Sequence, residues 1–135
     1  MGETPGGPGS RVMHILLVED NELNRDMLVR RLARRGFVVT CACDGVEAVK
    51  RAGECQPDLV LMDIGLPVLD GWQAIQRLKA SSVTEHIPIV ALTAHALIED
   101  HDRAIALGCA DFVSKPIDLE RLLQVIRRHD PAGAR

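Results

Sequence analysis

The chain has 135 residues, 47% of them apolar and 26% charged, with a formal net charge of -3. That suits a single domain with a buried core and excludes a disordered chain. Net negative charge and an aromatic content of 2% argue against binding a phosphate backbone or stacking nucleic-acid bases, and no apolar run reaches membrane-spanning length.

The first residues are rich in Gly and Pro and lack the apolar stretch of a signal peptide, so 1–11 read as a flexible leader. Residues 12–129 then form the domain and 130–135 a short tail, with a cytoplasmic location expected. Cys41, Cys43, Cys55 and Cys109 include no CxxC pair. They are expected to be small buried apolar residues, a disulfide or metal role being the alternative.

The run His14-Ile15-Leu16-Leu17-Val18 predicts a first strand that ends at Glu19-Asp20-Asn21. Asp20 or Asn21 can cap the following helix, which runs to about Arg35 and stops at Gly36. Its apolar residues, Leu23, Met27, Leu28 and Leu32, form no narrow stripe. Arg25, Arg30, Arg31, Arg34 and Arg35 give it a basic face, either solvated or a docking face for an acidic partner. Residues 37–43 read as a second strand, and Asp44 with Glu47 resembles a capping box opening a helix over 46–54. The third strand, Leu59-Val60-Leu61-Met62, stops at Asp63. Gly65, Pro67 and Asp70-Gly71 then turn the chain, and Trp72, Ile75 and Leu78 mark a third helix. A fourth strand over 88–92 ends at Thr93, and a helix from about His95 to Leu107 closes at Gly108. Asp111-Phe112-Val113-Ser114 is a short fifth strand before Lys115-Pro116. Leu119, Leu122, Leu123 and Ile126 give the last helix its i, i+3, i+4, i+7 spacing, with Asp118 as cap. Five strands alternating with five helices call for a parallel sheet covered on both faces.

An acid at the end of a buried strand is costly unless partnered, yet the C-terminal strand ends of such a sheet are where ligands sit. Here those ends present Glu19-Asp20, Asp63, Thr93 and Lys115. Taken singly, each is an ordinary cap or turn residue. Together, three acids repel one another unless a cation intervenes, and a hard divalent ion takes oxygen ligands. Mg2+ fits, Mn2+ could substitute, and Gly65 could lend a carbonyl because its missing side chain permits close approach. One carboxylate could then attack a phosphoryl group, with Lys115 neutralising its oxygens and Thr93 donating a hydrogen bond. Asp63 is the best nucleophile, being central and, on this reading, left exposed by its loop.

Four motifs carry a resemblance: Leu17-Val18-Glu19-Asp20-Asn21, the run from Met62 to Gly71, Leu92-Thr93-Ala94-His95-Ala96, and Phe112-Val113-Ser114-Lys115-Pro116. Over 12–129 the chain resembles the receiver domain of two-component response regulators, of the chemotaxis-regulator type, whether single-domain or part of a hybrid histidine kinase. The resemblance implies a flavodoxin-like, doubly wound α/β fold with strand order 2-1-3-4-5. It implies that Asp63 accepts a phosphoryl group from phosphohistidine on a sensor kinase or histidine phosphotransfer protein. Asp20, Asp63 and the Gly65 carbonyl would bind Mg2+, with Glu19 acting through water, while Thr93 and Lys115 hold the phosphoryl group.

The Lys115-Pro116 bond is expected to be cis. Thr93 and Phe112 would form a switch remodelling the face made by the fourth helix, fifth strand and fifth helix, the alternative for Phe112 being a plain core aromatic. The partners implied are the phosphodonor and a downstream protein, with neither nucleic acid nor membrane bound directly. The domain would promote its own phosphorylation and dephosphorylation rather than act as an enzyme. Gly65 and His95 stand where family members vary and tune phosphoryl lifetime, and slow self-dephosphorylation is expected.

A haloacid-dehalogenase-type phosphatase would want an acid where Gly65 stands. A flavin-binding module would need a hydroxyl- and glycine-rich phosphate loop after the first strand, and a DNA-binding regulator would need a longer chain. His14, His86, His101 and His129 are assigned no role.

Overall fold

Short apolar runs bounded by turn residues give the strands, and capped amphipathic segments give the helices between them. The computed structural model describes residues 12–66, 68–94 and 98–130. The leader over 1–11, Pro67, His95 with the start expected for the fourth helix, and 131–135 of the tail lie outside the described residues. The elements are β1 (His14–Val18), α1 (Glu22–Arg34), β2 (Val38–Ala42), α2 (Gly45–Cys55), β3 (Leu59–Asp63), α3 (Gly71–Ala80), β4 (Ile89–Thr93), α4 (Ile98–Ala106), β5 (Asp111–Ser114) and α5 (Leu119–Arg128).

All strand pairs are parallel, in the order β2-β1-β3-β4-β5. Successive residues of a strand point to opposite faces, so each central strand feeds two cores. Ile15, Leu17, Leu59, Leu61, Val90 and Leu92 pack with Leu28 and Leu32 of α1 and with Leu122, Leu123, Val125 and Ile126 of α5. Leu16, Val18, Val60, Met62, Ile89 and Ala91 pack with α2, α3 and Ala104 of α4. Burial on both faces explains why β3 and β4 are apolar without alternation up to their last residue.

Several local expectations are refined. Asn21 is the cap of α1, accepting from the Asn24 N–H at 2.9 Å. α1 buries only Leu28 and Leu32, while Leu23 and Met27 are exposed, which is why its sequence shows no clean stripe. At α2, Asp44 accepts from the Glu47 N–H at 2.8 Å, but Glu47 reaches back to the Cys43 N–H at 2.7 Å rather than to that of Asp44. The full reciprocal capping box is at α3, between Asp70 and Gln73. Of the cysteines only Cys109 is buried. Cys41 and Cys55 are half-buried, Cys43 lies exposed just beyond β2, and all four are free thiols.

Candidate functional site

The register of the sheet assembles the site. Val18 pairs with Met62, so Glu19 and Asp63 lie level at the ends of β1 and β3. Asp63 pairs with Leu92, which sets Thr93 one step beyond it, and Thr93 pairs with Ser114, which does the same for Lys115. Main-chain bonds tie these ends together: Glu19 N–H to the Ala42 carbonyl (3.1 Å), Ile64 N–H to Leu92 (3.0 Å) and Lys115 N–H to Thr93 (2.6 Å). The Lys115–Pro116 bond is cis.

Asp63 is buried, with 4% of its surface exposed. The expectation that the following loop leaves it exposed is therefore corrected: Leu66 and Leu69 turn into the core and draw the loop down over the strand end. Both carboxylate oxygens are engaged, Oδ1 by the Gly65 N–H at 3.0 Å and Oδ2 by Lys115 Nζ at 3.0 Å. Lys115 Nζ also lies 3.6 Å from Glu19 Oε1. Glu19 is buried and accepts from the Asn21 N–H at 3.1 Å; Asp20 is exposed; Thr93 is buried.

Carboxylate oxygens of Glu19, Asp20 and Asp63 all come within 4.8 Å of one another. Three acids against one ammonium leave net negative charge in a largely desolvated corner. The Glu19 pKa is raised, first by burial and further by the charge of Asp63, against the opposing Asn21 bond and Lys115. This all-oxygen donor set, one edge open to water at Asp20, suits Mg2+. Asp20, Asp63 and Glu19 are the side chains that could hold it.

Sequence reasoning missed two contributors. Arg25 Nη1 donates to the Glu19 carbonyl at 3.0 Å and lies 3.5 Å from that of Asp20, fastening the acidic turn to α1. Nothing in the sequence separates it from the other arginines of that helix. His101 stacks on Phe112, ring centroids 4.7 Å apart, and so leans α4 on β5. Phe112 is half-buried and packs against the α2–α3 core. A groove of about 300 Å³ leads from Glu19 and Lys115 along α1, past Met27, Arg31, Pro116 and Leu119.

A parallel sheet in this order, carrying clustered acids and a lysine at its C-terminal edge, defines a class of ligand-charged α/β domains. Residues 15–127 match the response regulator receiver domain, and the chain belongs to that family. It is thus a receiver domain of two-component signalling, a family in which phosphorylation and Mg2+ binding are typical.

The hybrid signal transduction histidine kinase G of Dictyostelium discoideum is 40% identical over 124 residues, which cover 88% of this chain but only 4% of that protein. A receiver domain of the sensor histidine kinase PA1611 from Pseudomonas aeruginosa, solved with a magnesium ion in its active-site cleft, is 37% identical. The match covers 87% of this chain and 97% of that one, with a TM-score of 0.80. The Saccharomyces cerevisiae receiver domain of Ssk1, solved with the phosphotransfer protein Ypd1, is 30% identical at a TM-score of 0.81, covering 88% of this chain and 89% of that one. No described helix is long and apolar enough to cross a membrane.

Proposed function

We propose that Asp63 accepts a phosphoryl group from a phosphohistidine, and that the change is read by another protein. The observation that carries this is the placement of one buried carboxylate in contact with Lys115 and clustered with two further acids, one of them, Asp20, exposed to solvent. An Asp63 oxygen attacks phosphorus as the P–N bond breaks. The nitrogen keeps the bonding pair and takes a proton, leaving histidine and an acyl phosphate. Lys115 is already in contact with the carboxylate and neutralises charge on the transferring oxygens, while Thr93 donates to one of them. Mg2+, held by Asp20, Asp63 and the Gly65 carbonyl with Glu19 acting through water, would supply the remaining charge neutralisation. The magnesium in the PA1611 receiver supports that choice of ion.

The donor is a sensor kinase or histidine phosphotransfer protein. Support comes from a related receiver sitting in a hybrid histidine kinase and from the Ssk1 receiver's complex with Ypd1. Output passes through α4, β5 and α5: Thr93 moves toward the phosphoryl oxygens, Phe112 turns inward, and its stack with His101 carries the change to α4. The chain acts as a signalling domain rather than as an enzyme with turnover on free substrates, and it works in the cytoplasm.

The mark is long-lived. A Cβ at Gly65 would meet only Asp63 Oδ1, at 3.8 Å, so the space beside the acceptor holds no side chain from this position to orient a hydrolytic water. A phosphoryl half-life of seconds in purified protein contradicts this. Phosphotransfer from a panel of kinases, wild type against Asp63→Asn, tests the whole reading: labelling is abolished by the substitution, and labelling that survives it sinks the assignment.

A further inference from the structure

The loop after Asp63 is fixed from an unexpected side. The first residue of α2, Gly45, is buried against the backbone of that loop. A Cβ at Gly45 would overlap the Leu69 carbonyl oxygen and stand 2.9 Å from Leu69 Cβ. At the other end of the loop, a Cβ on Gly71 would overlap the carbonyl oxygen of Asp63 itself and lie 3.1 Å from its carbonyl carbon. The Gly71 N–H donates to the Ile64 carbonyl at 3.0 Å. Real Cβ contacts do not come this close, so a side chain at either position forces backbone to move.

Two other observations show the described residues of the loop held in place rather than merely lying there. Leu66 and Leu69 are buried as plugs in the α2–α3 core. Between them, exposed Val68 sits at φ 66°, a left-handed conformation that a β-branched residue adopts only when its surroundings impose it. On the opposite side of the site, the last residue of β2 ties down Glu19, the Ala42 carbonyl accepting the Glu19 N–H.

We infer that Gly45 is a positioning residue for Asp63. By carrying no side chain it lets the N-terminus of α2 close on the loop at Leu69, which helps hold the Gly65 amide on the acceptor carboxylate. This rests on the reading of Asp63 as the Mg2+-assisted acceptor. A displacement of the order of 1 Å at the Leu69 carbonyl is large on the scale to which such sites are sensitive.

Calorimetric Mg2+ titration of Gly45→Ala tests it, with Ala52→Gly as control: Ala52 is also buried on α2 but is not among the atoms that meet the loop at Gly45. Melting temperatures of both variants are recorded without metal. The expected result is an Mg2+ dissociation constant at least fivefold weaker in Gly45→Ala than in Ala52→Gly, with phosphoryl uptake from phosphoramidate reduced in parallel. A smaller difference overturns the inference, because loss of stability alone then accounts for the variant. Should Gly45→Ala fail to fold, Leu69→Ala removes the plug from the same clamp, and the same fivefold criterion applies to it. Wild type that binds Mg2+ and takes up phosphate while the variants match the control overturns the inference alone; wild type that does neither overturns the reading of Asp63 and the inference with it.

Discussion

At Lys115 burial and charge oppose each other. Burial disfavours the ammonium, but the hydrogen bond and charge of Asp63, with the charge of Glu19, outweigh it and raise the pKa. The side chain therefore stays charged wherever the acids are ionised, and on the proposed reading it would compete with a divalent ion for them. Replacing it by Met should tighten Mg2+ binding about tenfold, a modest Coulombic term for one charge near the site, while phosphoryl uptake falls. Calorimetry alongside labelling checks both, and weaker Mg2+ binding in the variant contradicts the account. Cys109 offers a test away from the site. Burial pushes its thiol up to about 11 from an ordinary 9.0. A raised thiol pKa favours the neutral form in the folded state, so its stabilising effect is complete below pH 9 and is lost as pH rises toward 11. Over that window folding free energy should fall by roughly 2–3 kcal/mol, a fall that Cys109→Ala removes. Urea unfolding across that range measures it, and an equal decline in the variant contradicts it. The burial of Cys109 could be anticipated from its type; the exposure of Cys43 could not, because it depends on β2 ending at Ala42.

Helix and strand positions were legible where composition and caps agreed. α5 lies where expected because four apolar residues at helical spacing follow an Asp cap, and the Asp118 side chain accepts from the Glu120 and Arg121 N–H groups. α1 was legible as a helix but not in its orientation, since Leu23 and Met27 are as apolar as Leu28 and Leu32 and only packing against the sheet tells them apart. The Asp70–Gln73 box carried a readable signal, Asp followed three residues later by Gln, that the turn residues around it obscured. Because this cap joins the loop after Asp63 to α3, Asp70→Ala should cost about 1 kcal/mol. Urea unfolding without metal measures that cost, and a loss below about 0.3 kcal/mol would mean the box contributes little. α4 is held differently: Ala104 is its one buried residue among those described, and the helix leans on rings, His101 on Phe112 and Arg103 over Trp72 with its guanidinium carbon 4.5 Å from the ring centre. Ring contacts of this kind leave no periodic trace in a sequence.

Across the whole molecule the site was legible because each of its parts ends a strand, and a parallel sheet brings strand ends together. Hidden from the sequence were the supports that come from elsewhere: Arg25 on α1, the plugs at Leu66 and Leu69, and the burial of Asp63 that follows from them. An acid cluster kept under repulsion should make folding depend on the ion that relieves it. Mg2+ at a hundredfold excess over its dissociation constant should stabilise the wild type by about 2.7 kcal/mol, and Asp63→Asn should lose most of that gain. Thermal melts with and without Mg2+ decide this, an equal gain in both proteins counting against Asp63 as a ligand. The central claim is that Asp63 carries the phosphoryl group, and borohydride reduction of the labelled protein followed by peptide mass spectrometry tests it most directly. An acyl phosphate is reduced to an alcohol, whereas a phosphohistidine or phosphoserine is not. The account predicts Mg2+-dependent conversion at position 63 alone; conversion at another carboxylate, or labelled protein with Asp63 unreduced, contradicts it.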